Sequence, residues 1–413
     1  MTDIIRPFRA LRVRPDAAAR VAAPPYDVLD TEEARVLVGD NEDSFLHVSK
    51  PEIDFPAGTD PHSPAVHAHA RARLDQFVAD GLLRRDTEPS LYLYRLTMGE
   101  HVQTGIVAAA SVAAYYDGRI KQHEYTNAEK VDDRARNADA LNAHTGTLFL
   151  TYPAQATLDG VVAELCQRAP DTSVDAADGI RHEVWVITDP ATVATLNAAI
   201  NAMPAVYIAD GHHRSAAAAK LADWRAARSD AEGVSRADWF LAALFPDDQV
   251  QILPYNRLVT TLGAGSLEDL LAALAANFDI EASVAAVEPE RSGVFGLYSA
   301  GSWYRLTVKP DHVPSDALGR LDINVLERLC LAPLLGIVDQ RSDPRIAFVG
   351  GMRGVEELER RIDAGDFAAA FSLYRTGLDE VLQVADAGEV MPTKSTWFEP
   401  KLRDGLLVLP LDD

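Results

Sequence analysis

The segment from Ala205 to Lys220 constrains the fold of this chain more than any other part of it. A short apolar run leads into Asp210 and Gly211, and two histidines and an arginine then open an alanine-rich stretch. This order predicts a β-strand, a tight turn and the start of a helix. Gly211 suits the turn because glycine adopts a positive φ readily, and its missing Cβ leaves space for a ligand.

The predicted turn is also a candidate anion site. The first turn of a helix presents unpaired N–H groups and the positive end of the helix dipole, which favour phosphate or carboxylate groups. Three further donors follow the turn, namely His212, His213 and Arg214. Asp210 has two interpretations, either as a helix cap or as a ligand for Mg²⁺ or a substrate hydroxyl. A surface turn capped by Asp210 is the plainer alternative, but capping requires neither a histidine pair nor an arginine.

The order of the remaining elements predicts a mixed α/β protein, because strands and helices alternate before the central turn. The pattern predicts helices over 65–83, around 130–136 and over 158–168 and 191–202, strands over 91–97, 102–116, 147–151 and 183–188, and a loop over 169–182. Beyond a strand over 240–245 it predicts helices over 267–278, 319–335 and 355–363, and strands over 293–298 and 303–308. The pattern changes between 250 and 265, so we predict two regions, residues 1–255 and 256–413.

Composition excludes several classes of protein. Lys and Arg number 39 and Asp and Glu 62, a net charge of −23, and such a surface repels the phosphates of nucleic acids. The two cysteines are too few for a disulfide framework or a four-cysteine zinc site. No signal peptide and no apolar window of about 20 residues is present, so we expect a cytoplasmic protein without a membrane partner. A homo-oligomer is among the assemblies that the sequence allows.

Glu124 is the leading candidate for a general base. It lies between His123 and Thr126, in a polar patch that follows an apolar strand. The alternative is a solvated carboxylate beside the start of a helix. Lys130 and Arg134 are four residues apart and would share a helix face, which could bind phosphate or pair with neighbouring acids.

The histidine pair does not by itself identify a metal site. Adjacent residues on a helix diverge by roughly 100°, so His212 and His213 cannot easily bind one ion together. One of them could combine with His123 or Glu124, and the ligands of any metal stay unknown at this point.

Near the C-terminus, Lys394, Ser395 and Thr396 resemble the end of a phosphate-binding P-loop, but the glycines that such a loop requires are missing. Lys394 and the two hydroxyls could still contact a phosphate as a point charge and hydrogen-bond donors. An ordinary polar loop is the alternative.

Five motifs in the same order resemble the bacterial and archaeal domain-of-unknown-function 1015 family. They are Pro24-Pro25-Tyr26-Asp27, His123-Glu124-x-Thr126, Asp210-Gly211-His212-His213-Arg214, Pro254-Tyr255-Asn256-Arg257 and Lys394-Ser395-Thr396-x-Phe398-x-Pro400-Lys401. The resemblance extends over nearly the whole chain. It implies supporting or substrate-binding roles for Tyr26, Asn256 and Arg257, beside His123, Thr126 and Lys130.

The central motif is also similar to the ParB/sulfiredoxin superfamily, in which a Gly-x-x-Arg turn at the start of a helix binds nucleotide phosphates. Free L-serine kinases of that superfamily carry an Asp-Gly-His-His-Arg-like element and a catalytic glutamate. The resemblance implies a ParB/sulfiredoxin-like nucleotide-binding core embedded in a larger mixed-sheet α+β protein. It implies a kinase that uses ATP or ADP with Mg²⁺ to phosphorylate serine or another small hydroxy compound.

In that interpretation the residues from Gly211 to Arg214 hold phosphates, and Glu124 or Asp210 accepts the hydroxyl proton. Two other classes stay open. A nucleotide-sensing binding protein needs the same turn but no base, and a metal-dependent hydrolase needs convergent histidine and glutamate ligands.

Overall fold

The computed structural model describes residues 2–228, 236–263, 265–392 and 394–412. The chain folds into two compact units. Unit 1 comprises Met1–Gln122, Thr126–Val250 and Pro400–Asp413, and unit 2 comprises His123–Tyr125 and Gln251–Glu399. Each unit is discontinuous in sequence, and the domain boundary after residue 255 stays a prediction. None of the helices in the described part of the chain combines the length and apolar composition needed to cross a bilayer.

Unit 1 is built from both helices and strands. Its strands are β1 (Ile5–Arg6), β2 (Leu11–Val13), β3 (Leu83–Arg85), β4 (Leu91–Met98), β5 (His101–Ser111), β6 (Ile120–Lys121), β7 (Ala143–His144), β8 (Leu148–Tyr152), β9 (Thr172–Asp175), β10 (Ile180–Ile187), β11 (Val206–Asp210), β12 (Trp239–Pro246) and β21 (Leu407–Pro410). Its α-helices are α1 (Ala18–Val21), α2 (Thr31–Val38), α3 (Leu46–Ser49), α4 (Pro64–Ala79), α5 (Val112–Tyr116), α6 (Ala128–Leu141), α7 (Ala156–Leu165), α8 (Pro190–Asn201) and α9 (His212–Arg228).

Among the described residues, the strands of unit 1 form a nine-stranded mixed sheet and a four-stranded sheet. The large sheet has the order β6-β11-β8-β12-β5-β4-β10-β9, and β1 pairs with β5. Strands β8 and β12 are apolar and buried along most of their length, as expected for strands that are covered on both faces. The small sheet has the order β3-β2-β21-β7, so the C-terminal strand is part of unit 1.

Unit 2 is also mixed. Its strands are β13 (Gln251–Leu253), β14 (Tyr255–Val259), β15 (Phe278–Ser283), β16 (Val294–Ser299), β17 (Ser302–Val308), β18 (Ile346–Gly350), β19 (Ala369–Leu373) and β20 (Trp397–Glu399), and its α-helices are α10 (Leu267–Leu274), α11 (Asp322–Leu326), α12 (Glu356–Asp363) and α13 (Leu378–Asp386). Six strands form an antiparallel sheet in the order β15-β17-β16-β19-β14-β18, and β13 pairs with β20. The predicted mixed α+β class is confirmed.

The loop predicted over 169–182 is wrong. Strands β9 and β10 occupy half of this segment and pair antiparallel, and the chain reverses at Gly179 with a φ of 81°. In β9, Thr172 and Val174 are buried while Ser173 and Asp175 are exposed. This is the alternation of a half-buried strand, which the many polar residues of the segment conceal.

Other predicted elements are too long. Helix α4 ends at Ala79, so Leu83 already belongs to β3, and α7 ends at Leu165. Strand β5 ends at Ser111, where the hydroxyl accepts a hydrogen bond of 3.2 Å from the N–H of Ala114 and caps helix α5. Helix α10 ends at Leu274, and Phe278 already belongs to β15. Of the helix predicted over 319–335, only α11 is α-helical, and a π-helical turn over Glu327–Leu331 follows it.

Candidate functional site

The central strand–turn–helix unit is present as predicted. Strand β11 ends at Asp210, Gly211 has a φ of 101°, and α9 begins at His212. A Cβ atom placed on Gly211 would lie 3.2 Å from both the Cγ atom of Leu148 and the Nε atom of Arg214. Position 211 therefore requires glycine both for its backbone conformation and for the close packing around it.

A second helix begins beside the turn. The main-chain N–H of Asn127 donates a hydrogen bond of 3.0 Å to the Nε2 atom of His213. The side chain of Asn127 caps α6, because it accepts a hydrogen bond of 3.1 Å from the N–H of Lys130. Because Nε2 accepts this bond, the neutral ring of His213 carries its proton on Nδ1. The starts of α6 and α9 are thus held next to each other.

The two helices run in the same direction. Beyond their starts, Asp132 of α6 pairs with Lys220 of α9, and Asp139 pairs with Arg225 and Arg228 further along both helices. Two parallel helices that begin together place two positive dipole ends at one point. This arrangement attracts an anion more strongly than the single helix start that the sequence predicts.

Arg214 is fixed between groups of the protein. Its Nη1 atom donates a hydrogen bond of 2.6 Å to the carbonyl of Thr147, and its Nη2 atom lies 3.2 Å from Oδ2 of Asp210. The side chain of Arg214 is only 10% exposed. Its Nε atom is buried and has no hydrogen-bond partner within the described ranges. Burial lowers the pKa of Arg214, but Asp27 and Asp210 outweigh this effect and raise it, so the guanidinium stays charged.

Asp210 links two cations. Its Oδ2 atom contacts Arg214 and lies 3.4 Å from Nζ of Lys401. Burial opposes ionisation of Asp210, but Lys401 and Arg214 together hold its pKa well below the usual range. An ionised carboxylate of this kind is a weak proton acceptor at neutral pH, and it positions both cations at the turn.

Asp404 is a further residue of this cluster, which the sequence motifs do not predict. It is buried, and its Oδ2 atom has no hydrogen-bond partner among the residues that the structure describes. Burial raises the pKa of Asp404 to about 7; Arg214 opposes this effect and Asp27 adds to it. We use the name turn site for Asp210, Gly211, Arg214, Lys401 and Asp404.

The first family motif lies beside Asp404. Ala23 and Asp404 exchange two main-chain hydrogen bonds, of 3.1 and 2.9 Å, which join the Pro-Pro-Tyr segment to the C-terminal segment. The Cζ atom of Arg134 lies 4.5 Å from the ring centre of Tyr26, a cation–π contact. Burial and the charge of Asp27 raise the pKa of Tyr26 to about 12, so its hydroxyl stays protonated.

In unit 2, two other motifs meet. Arg257 is fully buried, and it donates to the carbonyl of Tyr255 and, over 3.0 Å, to the carbonyl of Lys394. Burial lowers the pKa of Arg257 to about 10. The Nζ atom of Lys394 lies 5.6 Å from the ring centre of Tyr255. The hydroxyl of Ser395 donates a hydrogen bond of 2.5 Å to the carbonyl of Pro392.

The remaining predicted residues have these positions. Asn256 accepts a hydrogen bond of 3.1 Å from the N–H of Leu373 inside unit 2, and Thr396 is half-buried there. His123 and Glu124 also belong to unit 2, with His123 buried. In unit 1, Lys130 is exposed, Thr126 is half-buried and His212 is buried. The roles predicted for all of these residues stay predictions.

No group of three or more His, Cys, Asp or Glu side chains within the described ranges could hold a metal ion. At the turn site, Asp210 is committed to two cations, and Asp404 carries a raised pKa. These carboxylates do not fit a Mg²⁺ site that the protein builds alone, since Mg²⁺ requires ionised oxygen ligands in near-octahedral geometry.

The fold and the turn site together define a mixed α+β protein with a glycine turn suited to an anion. The chain belongs to the family described as "Protein of unknown function (DUF1015)", whose model matches residues 5–324. A comparison with curated proteins gave no match.

Several solved structures resemble this chain at low sequence identity. SbnI with a C-terminal truncation, from Staphylococcus aureus, matches with a TM-score of 0.40 and 10% identity, over 74% of this chain and 90% of that chain. A free serine kinase in complex with AMP matches with a TM-score of 0.36 and 13% identity, over 71% and 86%. A mutant free serine kinase in complex with ADP matches with a TM-score of 0.35 and 13% identity, over 72% and 88%. TM-scores this low do not assign a function.

Proposed function

We propose that this protein is a nucleotide-dependent phosphotransferase that phosphorylates a small hydroxy compound, free L-serine being the first candidate. The observation that carries the proposal is the pair of parallel helices α6 and α9, which begin side by side at the Asn127–His213 hydrogen bond. Their unpaired N–H groups and dipoles suit the phosphates of a nucleotide. ATP and ADP are both candidate donors.

The residues of the turn site have separate roles in this proposal. Gly211 supplies the positive φ that the turn requires, and its missing Cβ leaves room for the guanidinium of Arg214. Arg214 and Lys401 supply positive charge for the transferred group, and the ionised Asp210 keeps both in position. His212 and His213 complete the set of phosphate-binding residues.

Phosphoryl transfer to a hydroxyl also requires a proton acceptor. We propose Glu124 for this role, as its sequence context predicts, and Asp404 as a second candidate. The pKa of Asp404, about 7, suits a group that accepts a proton near neutral pH. Asp210 is the weaker candidate because its pKa is strongly lowered.

Mg²⁺ is expected to accompany the nucleotide, bound mainly by its phosphate oxygens. No step of the transfer is assigned to the ion, because the carboxylates of the turn site do not fit a Mg²⁺ ligand set.

A nucleotide-sensing protein without catalysis is the second candidate. It is favoured by one observation, namely that the carboxylate nearest to Arg214 and Lys401 is ionised and paired with both. Such a protein would bind nucleotide and form no product.

The test is to incubate the protein with ATP or ADP, Mg²⁺ and a panel of hydroxy amino acids, and to detect phosphorylated products by mass spectrometry. Arg214→Gln should abolish product formation. Arg228→Gln is the matched control, because Arg228 is on the same helix and also pairs with a carboxylate. Nucleotide binding without any product from the wild-type protein would favour the sensing function.

A further inference from the structure

Asp404 is a buried carboxylic acid that the main chain holds in place. Its N–H and its carbonyl both pair with Ala23, and the N–H of Arg403 donates a hydrogen bond of 3.0 Å to the hydroxyl of Tyr94. Tyr94 is itself buried, and Asp404 is only 3% exposed. The side chain of Asp404 therefore cannot turn outward to water without breaking these contacts.

The carboxylate of Asp404 lies near Arg214 but is incompletely satisfied. A Cβ atom built on Gly146 would lie 3.6 Å from Nη1 of Arg214 and 3.9 Å from Oδ1 of Asp404. The Oδ2 atom of Asp404 has no hydrogen-bond partner within the described ranges. Arg214 therefore favours the ionised form of Asp404, while the missing donor and the burial disfavour it.

The groups that act on Asp404 come from several elements. Burial is the largest effect and raises the pKa of Asp404 to about 7, Arg214 of α9 opposes it, and Asp27 adds to it. The other titratable or charged groups around the carboxyl are Arg403 on the same segment, Arg134 on α6, Tyr26 beside Asp27, and Tyr94 on β4. Burial raises the pKa of both tyrosines, so neither ionises near neutral pH.

Two of these cations are already compensated. Arg134 pairs with Asp133, and Arg403 pairs with Asp178. The turn site therefore depends on its own two cations to balance any additional negative charge.

Among the residues of the turn site, cations and carboxylates are equal in number. They are Arg214 and Lys401 on one side, and Asp210 and Asp404 on the other. A terminal phosphate at the helix starts would add up to about two negative charges. Protonation of Asp404 is the simplest compensation, because Asp210 is paired with both cations and Asp404 has an oxygen without a donor.

We propose that binding of a nucleotide phosphate at the turn site is coupled to the uptake of one proton by Asp404. This inference rests on the phosphate binding proposed above. The phosphate and the ionised carboxylate would compete for the charge of Arg214, and protonation of Asp404 removes the competition. Nucleotide affinity should then fall as the pH rises above 7. A protonated Asp404 cannot also accept the substrate proton, which leaves Glu124 for that role.

The two histidines next to the turn are competing proton acceptors. The Nε2 atom of His213 accepts the hydrogen bond from Asn127, so a proton on Nε2 would break the contact between α6 and α9. His212 is buried, which disfavours a charged imidazolium. Asp404 is therefore the expected acceptor, and a variant at this position separates it from both histidines.

The first test is calorimetric titration of the full-length protein with ADP at pH 8, without added metal ions, in Tris and in HEPES. These buffers differ in their enthalpy of ionisation, so the two observed binding enthalpies together give the number of protons taken up per ADP. At pH 8 roughly nine-tenths of Asp404 is ionised in the free protein, and we expect an uptake of about 0.9 proton. The terminal phosphate of ADP, with a second pKa of roughly 6, is already ionised and contributes little.

Asp404→Asn places a neutral group of similar size in the site. We expect this variant to take up no proton and to bind ADP about tenfold more tightly than the wild-type protein at pH 8, but within about twofold of it at pH 6. From pH 7 to pH 8 the wild-type protein should lose about fivefold in affinity and the variant little. Asp80→Asn, at an exposed position of the same unit, is the control and should behave as the wild-type protein does.

A purely structural role of Asp404 predicts the opposite result, namely weaker binding by Asp404→Asn at pH 8. Binding of ADP to the wild-type protein without proton uptake would overturn the inference, as would an uptake that persists in Asp404→Asn. Either result leaves the phosphotransferase proposal intact and keeps Asp404 as a candidate base. Absence of ADP binding to the wild-type protein would instead contradict the proposed function, and this inference with it.

Discussion

The main-chain N–H of Asn127 and the Nε2 atom of His213 are joined by a hydrogen bond of 3.0 Å, which holds the first turns of α6 and α9 together. The bond connects residues that are 86 positions apart in the chain. It explains why His213 stands at this position, because a side chain at the start of α9 fixes the start of α6. The positive ends of both helices therefore meet beside Gly211, where we propose that nucleotide phosphates bind.

Replacement of Arg214 should weaken nucleotide binding. We expect Arg214→Gln to lower the affinity for ADP by about tenfold or more, because a charged hydrogen bond to phosphate is lost. Calorimetric titration of the variant and of Arg228→Gln checks this. Equal affinities for the two variants would mean that Arg214 has only a structural role, through Thr147 and Asp210.

Gly211→Ala should affect both stability and binding. Alanine at a positive φ costs roughly 1–2 kcal/mol, and the new Cβ would also crowd Leu148 and Arg214 at 3.2 Å. Gly118→Ala is the matched control, because Gly118 has a φ of 74° with no atom within 4 Å of a built Cβ. We expect chemical denaturation to show a larger decrease in the free energy of unfolding for Gly211→Ala than for Gly118→Ala. Only Gly211→Ala should lose nucleotide affinity. A loss of affinity in both variants would point to general destabilisation.

Asp404 should make the stability of the protein depend on pH. The pKa of Asp404 is about 7 in the folded protein and about 3.8 for the ordinary carboxyl. The stabilising effect of its bound proton is complete below about pH 4 and is lost as the pH rises through 7. The difference in pKa corresponds to at most roughly 4 kcal/mol at high pH.

Asp404→Asn should therefore raise the free energy of unfolding at pH 8 relative to the wild-type protein, and change it little at pH 4. Urea denaturation at both pH values measures the difference. Asp80→Asn, at an exposed position, is the control. A variant that is equally destabilised at both pH values would refute the raised pKa of Asp404.

Glu124→Gln and Asp404→Asn should distinguish the two candidate proton acceptors. The variant that lacks the base should lose phosphotransfer by roughly 10²–10⁴-fold and keep its nucleotide affinity, because the amide preserves the size of the side chain. Mass spectrometry of the products measures phosphotransfer, and calorimetry measures nucleotide affinity. Full activity in both variants would exclude both residues from this role.

Local patterns predict the turn but not its surroundings. The Asp-Gly dipeptide after an apolar run is sufficient to place β11, the positive φ of Gly211 and the start of α9. Asp404 reaches the same cluster through its pairing with Ala23, a contact between the two ends of the chain. No local sequence pattern predicts a contact between residues that lie so far apart in the chain. The one available signal is the family motif that ends at Lys401, three residues before Asp404.

Polar composition conceals other parts of the fold. The segment over 169–182 contains enough charged and small residues to suggest a loop. Strand β9 nevertheless forms there, because Thr172 and Val174 are buried and alternate with exposed residues.

The most direct measurement compares the binding of adenosine, AMP, ADP and ATP to the wild-type protein by calorimetry at low ionic strength. If the helix starts at the turn site hold phosphates, affinity should rise from adenosine to the phosphorylated nucleotides by at least about tenfold, and this gain should disappear in Arg214→Gln. Equal affinities for adenosine and ADP, or a phosphate-dependent gain that persists in Arg214→Gln, would contradict the account.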